Sequence, residues 1–171
     1  DEKKLSPISS KTIGNENKIL SSIGPCLRGL YAEETGQSWL IHYREDLNAF
    51  SFASSQECED WSQIGTATPD HVIRTKQKPL LLNPKHLGDS EKCRNEISNA
   101  LEEYKKQYHE YFKSNSKGGA KKELDPLPRI ILVAGLGLIT IGKSVKETKI
   151  AADIYQHTID IIRKSFNIGQ F

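Results

Sequence analysis

Apolar positions along this chain recur in several distinct rhythms, and the rhythms divide it into elements. From Glu16 to about Ala32, Ile19, Leu20, Ile23, Leu27 and Leu30 return at helical spacing, with Gly24-Pro25 as an expected kink or break. "SWLIHYR", Ser38 to Arg44, reads as a strand entered through the turn residue Gly36. "EDLNAFSFASSQECEDWSQIG" reads as two short helices ending at Gly65. "TATPDHVIRTKQKPLLLN" then carries a helix start or turn at Thr68-Pro69, an extended basic stretch, and an apolar run Leu80 to Leu82 that stops at Asn83-Pro84.

The second half is more regular. From Asp89 to about Lys113, the residues Cys93, Ile97, Leu101, Tyr104 and Tyr108 repeat at three- and four-residue steps, with acids near the start and lysines near the end, as a long amphipathic helix requires. "KSNSKGGAKKELDPLP" is the clearest loop. "RIILVAG" and "LITIG" follow as two buried strands. Ser144-Val-Lys-Glu147 then fits a capping box opening a C-terminal helix whose apolar face is Ile150/Ala151, Ile154, Thr158 and Ile161/Ile162. No internal repeat is visible. The expectation is a flexible N-terminal segment over 1–15 and a single α/β domain over 16–171, with few strands relative to helices.

Composition narrows the functional classes. The 171 residues have room for one ordinary domain; 36% hydrophobic and 27% charged residues are the profile of a globular protein, and the apolar runs are too short to span a bilayer. Twenty-four basic against 22 acidic residues provide no general field for nucleic acid or anionic lipid. Cys26, Cys58 and Cys93 are odd in number and widely separated, which encodes neither a disulfide framework nor a cysteine zinc site and fits a reduced, cytoplasmic compartment. No signal peptide opens the chain, and the absence of any Met suggests a piece of a longer polypeptide.

Two polar motifs invite chemistry. "GLITIGKS", Gly137 to Ser144, matches the phosphate-cradling pattern G-x-x-x-x-G-K-[ST]. A cradle needs a loop whose N–H groups turn inward, whereas Leu138, Ile139, Thr140 and Ile141 favour a strand. The structural alternative uses every residue: Gly135 and Gly137 turn between paired strands, Gly142 ends the second, and Ser144 caps the helix. The other motif, "TPDHVIRTK", packs Asp70, His71, Arg74, Thr75 and Lys76 between apolar elements. Its cations suit phosphate or carboxylate and its His-Asp pair suits acid/base or metal chemistry; a helix start with solvent-facing cations is the competing reading. His42, His86, His109 and His157 form neither H-x-H nor H-E-x-x-H. Tyr104, Tyr108, Tyr111 and Phe112 read first as core and second as a stacking platform.

The order of segments adds a resemblance. "PCLRGL", "GTATPDHVIRTKQKPLLL", "YKKQYHEYF" and "DPLPRIILVAGLGLITIGKSVKETKIAADIYQHTIDIIR" together resemble the middle region of bifunctional rhamnulose-1-phosphate aldolase/short-chain dehydrogenases, over about Pro25 to Arg163. These fuse a class II aldolase/adducin-like region to a Rossmann dehydrogenase. The resemblance implies part of a three-layer α/β/α fold and membership of a homo-oligomer. Class II aldolases hold zinc through an H-x-H pair and a third His in an N-H-G-L turn; here the similar turn reads Leu136-Gly137-Leu138 after Ala134-Gly135, without the His. Zinc and NAD(P) are therefore expected in other regions of the parent protein, with no cofactor or metal ligand in this chain. Two functions follow from the resemblance. One is scaffolding or sugar-phosphate binding through His71, Arg74 and Lys76 in carbohydrate catabolism; the other is a non-catalytic interaction or oligomerisation domain.

Overall fold

A computed structural model describes residues 15–66, 68, 71–116 and 122–168. The expected flexible segment falls almost wholly outside these residues, as do Pro69, Asp70 and the centre of the lysine-rich loop. The chain runs α1 (Glu16–Thr35), β1 (Leu40–Arg44), α2 (Leu47–Ala53), α3 (Cys58–Ser62), α4 (Val72–Thr75), β2 (Leu80–Leu82), α5 (Ser90–Asn115), β3 (Ile130–Val133), β4 (Gly137–Gly142) and α6 (Val145–Ile168). The four strands form one mixed sheet in the order β1-β4-β3-β2, antiparallel except for the parallel β2–β3 pair.

Strand alternation builds two cores from one sheet. Leu80, Leu82, Ile131, Val133, Ile139 and Ile141 pack against α1 and α5, while Ile130, Leu132 and Leu138 pack against α2 and α6. Both faces of β3 and β4 are therefore covered, which is why these strands read as unbroken apolar runs. The result is the three-layer α/β/α arrangement expected from the sequence.

Three local features depart from the sequence pattern. The break expected at Gly24-Pro25 does not occur: α1 continues through Pro25 and ends at Gly36, whose φ of 66° lets its N–H reach the Ala32 carbonyl at 2.8 Å. Burial of Ile23, Cys26 and Leu27 in the α1–α5 core holds the helix together across the hydrogen bond that proline cannot make. In "DHVIRTK" the expected extended stretch includes one short helical turn, α4. On α6 the buried stripe is Thr148, Ala151/Ala152, Tyr155, Thr158/Ile159 and Ile162, leaving Ile154 half-buried and Ile161 at the surface. Apolar residues lie on two adjacent stripes of that helix, and the sheet's line of approach selects between them.

The helix starts follow their caps. Asp46 accepts from the Ala49 N–H at 2.8 Å and Asp89 from the Lys92 N–H at 3.1 Å. Ser144 accepts from the Glu147 N–H at 3.2 Å, as the sequence encodes, and the Glu147 carboxylate reaches back to the Lys143 N–H at 2.8 Å, one residue before the Ser144 N–H of a standard capping box. No described helix is long and apolar enough to cross a membrane.

Candidate functional site

"GLITIGKS" is a regular strand running into a capped helix. β4 is paired on both sides, Leu138–Gly142 with β1 and Gly137–Thr140 with β3, so its backbone groups are committed to ladders and form no inward-facing nest. Thr140 is fully buried, and its hydroxyl donates to the Thr148 carbonyl at 2.8 Å, tying the strand to α6.

The turn before β4 is the place where the family resemblance would put a metal-binding His. Gly135 and Gly137 both have positive φ, 77° and 110°. The Gly135 N–H donates to the Ser54 hydroxyl at 3.0 Å, and a Cβ at Gly137 would lie 3.1 Å from the Phe50 backbone nitrogen. Leu136 and Leu138 are fully buried. The turn is packed against the end of α2 and supplies no nitrogen or oxygen side chain, so it does not fit a metal ion. Among the described residues, no group of three or more His, Cys, Asp or Glu is placed to hold one.

The basic cluster is divided by the fold. α4 is a single turn, so residues two apart on it leave in different directions. Arg74 is exposed, whereas the Lys76 side chain is only 4% exposed. The Lys76 ammonium donates to the Asp125 carbonyl, lies 3.9 Å from the Asp125 carboxylate, and sits 4.7 Å from the centre of the Tyr108 ring. Burial pulls its pKa down from 10.5 to about 8, against the opposing pull of Asp125. Its backbone φ of 63° is the single positive value at a non-glycine position among the described residues. The His71 carbonyl accepts from the Thr75 hydroxyl at 2.9 Å, and His71 Nδ1 is buried with no hydrogen-bond partner among the described residues. Of the three residues singled out in the sequence, Arg74 alone lines an open cleft with further cations.

That cleft, of about 230 Å³, lies between α4, the start of β1 and the start of α6. Trp39 forms its aromatic wall. The Arg129 guanidinium stacks 4.7 Å from the Trp39 ring centre, and the Lys143 ammonium lies 5.4 Å from it. Asp125 holds Arg129 through two bonds of 2.8 and 2.7 Å, and Arg129 also donates to the Leu127 carbonyl at 2.9 Å. Three cations thus face the carboxylates of Asp125 and Glu147, next to the positive end of α6. This is an environment for one compact anion, with Arg74 exposed and Arg129 fixed by Asp125.

Neither Arg129 nor Trp39 stands out in the sequence, and Lys143 enters only through the phosphate-loop match. Register brings them together: Leu40 pairs with Gly142, placing Trp39 beside Lys143, and Ile141 donates to the Arg129 carbonyl at 3.0 Å. A cation opening the first of two predicted strands and another just past the end of the second is the one signal that could have drawn notice.

A mixed sheet between helical layers, with its central hairpin closing on α6, makes an α/β domain, consistent with a class II aldolase-like one. The chain belongs to the family described as "Aldolase class II, second domain", whose profile matches residues 18–171. It is similar to the "Uncharacterized oxidoreductase YuxG" of Bacillus subtilis (strain 168), with 31% identity over 156 residues, 90% of this chain. The match spans 22% of that relative's length. No solved structure matches the chain.

Proposed function

We propose that this chain is the second domain of a class II aldolase-like region within a bifunctional sugar-phosphate aldolase and short-chain dehydrogenase of the rhamnulose-1-phosphate type. In this reading it scaffolds the aldolase region and holds the substrate's phosphate, while zinc and NAD(P) belong to other regions of the parent protein. The observation that carries the reading is the Arg74–Arg129–Lys143 cleft. It gathers three cations around one cleft, Arg74 exposed and Arg129 held by Asp125, as a phosphate requires, and contains no group that would itself break a carbon–carbon bond. A phosphate anchored away from the reacting carbons contributes binding and orientation rather than chemistry. The oxidoreductase name of the Bacillus relative supports a parent that joins the two activities. The cytoplasm, where sugar phosphates are handled, is the compartment this function calls for.

The test is a calorimetric titration of the purified chain with rhamnulose 1-phosphate and with inorganic phosphate at low salt. Saturable binding that falls at least about tenfold in Arg74→Ala, the loss expected for a charge-assisted bond, is the predicted result. Binding that is absent, or indifferent to both Arg74→Ala and Lys143→Ala, removes phosphate binding from the proposal. The parent architecture is tested separately by the flanking coding sequence: an H-x-H segment upstream and a Gly-rich strand–helix turn downstream are expected.

A second reading, a non-catalytic domain used in homo-oligomer assembly, is favoured by one observation. Ile73 and Val145, 73% and 58% exposed, lie on the two elements that border the cleft. Sedimentation of the chain and of Ile73→Asp distinguishes the readings: dissociation by that substitution, with phosphate binding intact, assigns assembly to this face.

A further inference from the structure

A second concavity, of about 490 Å³, runs along the C-terminal half of α5, and its chemistry differs from that of the cationic cleft. Three elements contribute to it: the residue after α3 (Gln63), the connector from α4 to β2 (Gln77 and Lys78), and α5 itself (Tyr104, Gln107, Tyr108 and Tyr111). Among the described residues, Lys78 and Glu110 are its only charged lining groups, one of each sign, and no aliphatic side chain lines it.

Its floor is fixed. The Tyr104 hydroxyl donates to the Lys78 carbonyl at 2.9 Å, and Tyr108 is held by the buried Lys76 ammonium against its ring. Tyr111 is half-buried and lies 6.5 Å from Tyr108 between ring centres, tilted by 43°. The amides are only partly used. Gln63 donates to the Ser62 hydroxyl at 3.2 Å and to the Pro79 carbonyl at 3.3 Å, which leaves its amide oxygen as an acceptor; Gln107 donates to Glu103 at 3.2 Å and keeps one N–H and its oxygen, and Gln77 makes no hydrogen bond among the described residues. Amide groups offer donors and acceptors side by side, the arrangement that vicinal hydroxyls satisfy, while tyrosine rings accept the C–H face of a pyranose. The volume is in the range of small-molecule sites.

We propose that this groove binds an uncharged polyhydroxylated ligand, a sugar, stacked on Tyr111 and hydrogen-bonded by Gln63, Gln77 and Gln107. The site is separate from the phosphate cleft and does not depend on it. The balanced charge of its lining distinguishes an unphosphorylated sugar from a sugar phosphate, because a phosphate here would face Glu110 with a single lysine to offset it.

The experiment is an amide and side-chain NMR titration of the purified chain with methyl α-L-rhamnopyranoside and methyl α-D-glucopyranoside, with inorganic phosphate as the contrast. Saturable shifts with a millimolar dissociation constant are expected, confined to the side-chain amides of the three glutamines and to the backbone around residues 104–111. Tyr111→Ala is expected to weaken binding at least about fivefold, the loss of one stacking contact. Gln77→Ala, which removes no hydrogen bond seen among the described residues, gives a second reading if Tyr111→Ala perturbs α5; Arg74→Ala leaves sugar binding unchanged. Absence of saturable shifts up to about 100 mM overturns the proposal, as do shifts mapping to Trp39 and Lys143, inorganic phosphate moving the same signals, or binding indifferent to Gln77→Ala.

Discussion

Lys76 couples folding to pH in a direction opposite to that of the protein's other buried titratable groups. Its pKa falls from 10.5 to about 8 in the folded chain because burial disfavours the ammonium. Between those values the unfolded chain binds a proton that the folded chain does not, so stability rises with pH; the contribution is fully present above the unfolded value and is lost as pH falls through about 8. At about 1.4 kcal/mol per pH unit, the interval between about pH 7.5 and 9.5 realises at most roughly 2 kcal/mol. Cys58 and Cys93, raised to about 11 by burial, and Tyr31 and Tyr155, raised well above their ordinary value by the same cause, pull the other way once the unfolded thiols and phenols ionise. A comparison with Lys76→Met cancels those contributions, and it also cancels backbone strain, since Met is as unfavourable as Lys at a φ of 63°. Urea unfolding of both proteins across that pH range is the assay. The stability of the wild type relative to Lys76→Met is expected to climb by about 1–2 kcal/mol. A difference that stays flat, or falls, refutes the placement of Lys76 as a buried cation beneath Tyr108.

Two further outcomes follow from the hairpin and the capped helix. Gly137→Ala forces a Cβ to 3.1 Å from the Phe50 backbone nitrogen at a φ of 110°, so a loss of about 2 kcal/mol or more is expected in urea unfolding, and a neutral result contradicts the tight turn. Ser144→Ala removes the acceptor for the Glu147 N–H and is expected to cost about 1 kcal/mol by the same measurement, with phosphate affinity unchanged, because the cap and the cationic cleft use different atoms.

The sequence determined the elements that satisfy themselves locally. Asp89 and Ser144 cap the helices they precede, and the unbroken apolar runs of β3 and β4 suit strands covered on both faces, which they are. It also weighed against the phosphate-loop match, because four residues that favour a strand suit a nest poorly, and the pairing of β4 on both sides then excluded it. What needed the tertiary structure was every property set by partners far away in the chain. Proline at position 25 stays inside a helix because α5 packs along it, and the buried stripe of α6 is chosen by the sheet rather than by the helix's own pattern. Arg74 and Lys76 look equivalent in "RTK", yet a one-turn helix followed by a left-handed residue sends one to solvent and the other beneath Tyr108. The cleft that gathers Arg74, Arg129 and Lys143 around Trp39 exists only through the β1–β4 register, which joins residues about a hundred positions apart; local periodicity carries no record of such pairing.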